Sequence, residues 1–202
     1  MGKPVPDWLA DALADPGEKH GRLAVVGLAA EGMVGRGGFA LSSAAFSDGD
    51  ELDPCFTAAE EDAVAPPLEW TAPPPGAHEL ALIVEDPDAP GEDPFCHWLV
   101  WGLPAQRAQL LEGEVPPRVG KNSFGNSEWL LPDPPTGDEP HEYVFQLFAL
   151  DLPLTLMPGA SREDLIAAMD GHVLAVAMLT GTFAREEGED FDWEEHEGED
   201  AG

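Results

Sequence analysis

Apolar and polar positions in this chain fall into short blocks cut by proline and glycine, a rhythm of strands rather than of long helices. Leu80-Ala81-Leu82-Ile83-Val84 is a continuous apolar block and predicts a buried strand. Pro87 and Pro90 forbid both helix and central ladder just after it, so the chain must turn at Asp86. His97-Trp98-Leu99-Val100-Trp101 then resumes an extended apolar run. From His141 to Leu150 a period of two sets His141, Tyr143, Phe145 and Leu147 on one face. Two polar rings thus stand side by side at that strand's entry.

The same pattern divides the chain into three parts. Residues 1–38 read as an N-terminal extension with a short helix capped by Asp7 and carrying Trp8, Leu9, Ala12 and Leu13 on one side. Leu23-Ala24-Val25-Val26 predicts a strand, and the glycine run from Gly32 to Gly38 a flexible connection. Residues 39–185 form the compact domain. It begins with a strand-like Phe39–Phe46 and continues with an edge strand at Pro66–Trp70, which starts at two prolines. A helix opens at Ser161, with Asp164 at capping-box spacing. Leu165, Ala168, Met169 and His172 run down one side of it, which makes His172 a core histidine, and Ala177–Phe183 forms a last strand. In residues 186–202 ten of seventeen positions are acidic, which predicts a disordered acidic tail.

Composition narrows the function. The chain has 202 residues, with 21 prolines and 22 glycines, as suits one loop-rich β domain. Nine Lys and Arg stand against 40 Asp and Glu, a net charge of −31 that repels nucleic-acid phosphates and anionic lipid surfaces. No basic secretory leader or membrane span is visible, so the expectation is a cytoplasmic protein without integral membrane association. Cys55 and Cys96 have no metal-finger or CxxC spacing and read as reduced thiols, with Cys96 facing away from His97. Gly120-Lys121-Asn122-Ser123 fails as a phosphate loop, because Val115 stands where its first glycine belongs.

Three islands remain: Asp86-Pro87-Asp88-Ala89-Pro90 with His97; Gly125 with Pro134-Pro135-x-Gly137; and His141-x-Tyr143. With Leu41-Ser42-Ser43-x-x-Phe46-x-Asp48-Gly49, Val64-Ala65-Pro66-Pro67-Leu68-x-Trp70 and Phe148-Ala149-Leu150-Asp151, they make residues 40–184 resemble the phosphatidylethanolamine-binding protein family. These are also called Raf-kinase-inhibitor-like proteins, and the likeness is greatest to their short bacterial branch. The resemblance implies a mainly β fold. A large, mostly antiparallel central sheet would lie beside a second small sheet and a few peripheral helices. It also implies a small anion pocket where Asp86, His97, Pro135, His141 and Tyr143 meet. One departure stands out: the family usually has arginine directly after the second histidine, and here Glu142 takes that place, on the strand face opposite His141.

The residues favour a pocket on their own chemistry. A carboxylate beside imidazoles favours their charged form, and imidazole, phenol and backbone N–H donors suit a phosphate-sized anion. The leading reading is therefore a binding protein, without cofactor, for a small phosphorylated or carboxylated ligand such as a phospholipid headgroup. A kinase or protease inhibitor acting on an unnamed protein target through the same surface is the alternative. Less favoured is a hydrolase, in which Asp86, His97 and His141 hold a metal or act as acid and base. Bacterial relatives suggest a homodimer.

Overall fold

The computed structural model of the protein describes residues 3–186. The predicted acidic tail, apart from Glu186, lies outside the described residues. Two antiparallel sheets make up the domain. The larger has the order β6-β4-β3-β7-β8, with β3 at Glu79–Asp86, β4 at Phe95–Pro104, β6 at Arg118–Val119, β7 at His141–Leu150 and β8 at Val173–Phe183. The smaller has the order β1-β2-β5, with β1 at Leu41–Ser42, β2 at Leu68–Trp70 and β5 at Ala108–Leu110. The fold is mainly β with few helices, as the resemblance implies.

Every residue of β3 is buried, because the large sheet is covered on both faces. On one face Leu80, Leu82, Val84, Trp98, Phe145 and Leu147 pack toward Leu41, Leu68 and Trp70 of the small sheet. On the other, Ala81, Ile83, Leu99, Trp101 and Phe148 pack under three short helices: α1 (Asp7–Ala10), α2 (Ala24–Leu28) and α3 (Arg162–Met169). Leu9, Leu13, Leu23, Val25 and Leu28 of the N-terminal segment belong to this second core. No described helix is long and apolar enough to cross a membrane.

Several local expectations are corrected. Leu23–Val26 is not a strand; Ala24–Leu28 is helical. A short apolar run fits either state, and polar partners on the sheet decide it. The Ala24 N–H donates to Glu85 Oε2 at 2.9 Å and the Val25 N–H to Gln146 Oε1 at 2.9 Å, satisfying amides that a helix start leaves free. The cap of α1 is Pro6, with Asp7 in the first turn. The glycine run is pinned to the sheet, since the Gly35 N–H donates to the Val176 carbonyl at 2.8 Å. Only Leu41–Ser42 of the Phe39–Phe46 run is strand, and β2 lies between β1 and β5 rather than at an edge. The last strand begins at Val173. His172 is not a core residue: α3 stops at Met169, Gly171 turns at φ 77°, and the half-exposed His172 ring meets Asp151 at 2.9 Å.

Behind β3 and β7 lies a buried ionic centre. Glu85, fully buried, takes the Arg162 Nε–H at 2.5 Å and the Gln146 Nε2–H at 2.8 Å, besides the Ala24 amide. Nearby, Glu142 meets Lys19 Nζ at 2.6 Å and His20 Nε2 at 2.9 Å. Burial pushes the Glu142 carboxyl up, but the hydrogen bonds and charge of His20 and Lys19 outweigh it and hold the group at about 2.

Two measurements test this support. Glu85→Leu strands Arg162, the Ala24 amide and the Gln146 side-chain amide, and is expected to cost about 3–5 kcal/mol in urea unfolding; a loss under about 1 kcal/mol would contradict a buried ion pair at this point. Glu142 should stabilise the fold fully above its unfolded value near 4.5 and lose that contribution as pH falls toward 2. Thermal unfolding followed across that interval should therefore fall less steeply in Glu142→Gln than in the unaltered protein.

Candidate functional site

Asp86 ends β3, and both its oxygens are committed. Oδ1 accepts the backbone N–H groups of Asp88 at 2.7 Å and Ala89 at 3.1 Å, which folds the proline-bounded turn back on the strand end. Oδ2 accepts from Nδ1 of His141, the first residue of β7, at 2.7 Å. The carboxylate is only 4% exposed. It thus ties neighbouring strand ends together at the rim of the sheet.

His97 arrives at the same rim by a different device. In the pairing of β3 with β4, Val84 faces Trp98 and Glu85 faces Cys96, so His97 is the extra residue of a β-bulge. The bulge lets His97 and Trp98 both serve the inner face while Cys96 joins the helix-covered core. Cys96 is buried there, and burial pushes its thiol up to about 12. The His97 ring sits edge-on to Tyr143, with centroids 5.0 Å apart, and edge-on to Phe95 at 5.3 Å. Its Nδ1–H donates to the Leu130 carbonyl at 2.7 Å, an assignment forced because a carbonyl only accepts. In return the Leu130 N–H donates to the His97 carbonyl, which seats the 122–131 loop against β4.

These residues enclose a cavity of about 250 Å³, and Asp86, His97, Pro135, His141 and Tyr143 all line it. Leu130, Phe124 and Asp133 complete the wall and were not foreseen, because loop residues that close on a site leave no periodic trace. A larger groove of about 610 Å³ shares Phe124, Leu130, Leu131 and Asp133 with the cavity but holds no histidine or tyrosine. The titratable side chains singled out from the sequence line the smaller space.

Burial outweighs Asp86, which does favour the charged form of His97 as expected. Burial lowers the affinity of His97 for a second proton, against the opposing pull of the Leu130 carbonyl and Asp86. Burial, with Asp86 and Asp88 nearby, also raises Tyr143, so the phenol keeps its proton. No Lys or Arg is among the lining residues. Among the described residues no group of three or more His, Cys, Asp and Glu side chains is placed to hold a metal ion.

Cations of the N-terminal segment act from behind the site. Lys19 Nζ reaches Asp88 Oδ1 at 2.7 Å, and the Arg22 guanidinium donates to the carbonyls of Pro87 and, at 2.5 Å, Gly91. Asp88 Oδ2 also takes the Glu142 N–H at 2.8 Å. Glu142 does face away from His141, toward this segment. The available signal was the run Lys19-His20-x-Arg22, a cluster of positive charge in a chain with few cations.

The phosphatidylethanolamine-binding protein family model matches residues 42–184. A UPF0098 protein of Methanothermobacter thermautotrophicus is 40% identical over 152 residues, covering 72% of this chain and 98% of its own. Among solved structures, the phosphatidylethanolamine-binding protein homolog CT736 of Chlamydia trachomatis superposes with a TM-score of 0.68 at 37% identity, over 73% of this chain and 97% of its own. YbcL of E. coli, a member of the mammalian family by its description, gives 0.66 at 26% identity, over 72% and 98%. Taken with the two-sheet architecture, these matches show that the chain belongs to the phosphatidylethanolamine-binding protein family, in its bacterial branch.

Proposed function

We propose that this protein binds a small phosphorylated or carboxylated ligand in the cavity between Asp86, His97, Pro135, His141 and Tyr143. The observation that carries the reading is the convergence of these side chains on one space of about 250 Å³, roomy enough for a headgroup. Tyr143 offers an O–H donor that stays protonated, and the proline-bounded loops give the walls a fixed shape. Asp86 and Nδ1 of His97 are already bonded within the protein, which suits recognition better than proton shuttling. The function is therefore binding rather than catalysis.

Without Lys or Arg in the wall, an anion gains positive charge only through histidine. Binding of inorganic phosphate or phosphoethanolamine should strengthen as pH falls from about 8 to below about 6.5, and burial of His97 sets the steep part at the acid end. The acidic surface repels an incoming anion, so an inert salt should leave affinity level or raise it slightly. Tyr143→Phe should weaken binding about ten-fold, the effect of losing one hydrogen bond to a charged group. Isothermal titration calorimetry at three pH values and two salt concentrations checks all three. Absence of saturable binding at millimolar ligand would sink the proposal, and steep weakening by salt would place a fixed cation at the ligand instead.

A further inference from the structure

One nitrogen in the wall has no partner. Among buried side-chain N and O atoms of the described residues, only His97 Nε2 lacks a hydrogen bond. The residue is 3% exposed, and its ring lines the cavity. Because Nδ1–H is spent on the Leu130 carbonyl, the neutral ring leaves Nε2 as a lone-pair acceptor. Such an atom, cut off from water and unpaired, is costly, and a buried polar group of this kind calls for a partner.

The groups around it do not supply one. Asp86, at the end of β3, and Asp133, in the loop before β7, bring acceptors only. Asp133 already meets Arg185 at 2.9 Å. On β7, His141 has a carboxylate beside each ring nitrogen, Asp86 at 2.7 Å and Asp138 at 3.7 Å. Tyr143 stands edge-on to His97 but makes no hydrogen bond to its Nε2. Lys19 and Arg22 are engaged on the far side of the Asp86–Pro90 turn.

We infer that the cavity selects an oxyanion that brings its own hydrogen: a phosphate monoester in its monoanionic form, whose P–O–H donates to His97 Nε2. This rests on the anion-binding reading above and narrows it. A monoester holds that proton near pH 6, where its second ionisation lies. Sulfate holds none in this range, and a phosphodiester, the form of a phospholipid headgroup, has no P–O–H at all. Either would have to wait for His97 to take up a proton, which its burial opposes.

The test is calorimetry on the full chain at about pH 6 with methyl phosphate, dimethyl phosphate and sulfate. Each is run in two buffers of different ionisation enthalpy, so that protons taken up on binding are counted. Methyl phosphate should bind at least about ten-fold more tightly than the other two, the factor attached to an unpaired buried acceptor. About half of the free monoester already carries the proton at this pH, so methyl phosphate should take up about half a proton on binding, whereas sulfate should take up about one. His97→Gln, whose amide presents N–H as well as C=O, should raise sulfate affinity relative to methyl phosphate. If circular dichroism shows that variant unfolded, the three-ligand series on the unaltered protein decides alone. Equal affinities for methyl phosphate and sulfate without proton uptake would overturn the inference and leave anion binding standing, as would a dimethyl phosphate affinity equal to that of methyl phosphate. No binding of any of the three would overturn both.

Discussion

The Asp86 carboxylate accepts three hydrogen bonds in a nearly dry place, and the cavity takes its shape from them. A carboxylate removed from water must be compensated close by, and here the compensation comes from two directions. The amides of Asp88 and Ala89 come from the turn just after it, whereas the His141 imidazole comes from β7, 55 residues later in the chain. Local and long-range structure are therefore fixed by one side chain. If the turn opened, the carboxylate would lose two donors; if β7 slipped by one residue, His141 would swing to the other face. The pairing of Glu85 with Val144 holds that register and so holds His141 beside Asp86.

A second layer of charge supports the first. Glu142 stands where the family usually carries arginine, and in an acidic chain another carboxylate beside Asp86 and Asp88 invites repulsion. The N-terminal segment answers it with Lys19 and His20 on Glu142, Lys19 on Asp88 and Arg22 on the carbonyls of the turn. The same segment buries Leu9, Leu13, Leu23 and Val25 against the sheet. Apolar burial brings the cations to the turn, and the cations offset the acids on it. The positive charge then lies behind the wall rather than inside the cavity, which leaves the interior to hydrogen bonding.

Much of this could be read from the chain. The apolar block before Asp86 and the alternation after His141 follow from strand periodicity, and both strands are where the pattern puts them. Ser161 and Asp164 do form the reciprocal cap of α3. What escaped the pattern depends on partners distant in sequence. Leu23–Val26 has no intrinsic reason to prefer helix, and Glu85 and Gln146 provide one only after β3 and β7 are side by side. Single-strand alternation cannot reveal the bulge at His97, because a bulge is a mismatch between two strands. Nor can it show that the ring will meet the Leu130 carbonyl, 33 residues away.

That last bond leaves His97 Nε2 an acceptor in the neutral ring. A histidine with both nitrogens free can turn either a donor or an acceptor toward a ligand, but His97 has spent its one neutral-state hydrogen on the protein. Charge offers little selectivity in a cavity without Lys or Arg, set in a molecule of net charge −31. Hydrogen-bond polarity remains, and it distinguishes ligands more sharply than size does, because a mismatch leaves a buried acceptor unpaired. The bulge, the Leu130 carbonyl and the Asp86–His141 bond each remove a degree of freedom from the wall. On the proposed anion-binding reading, specificity would then be a matter of which hydrogen the ligand carries, more than of how much charge it bears.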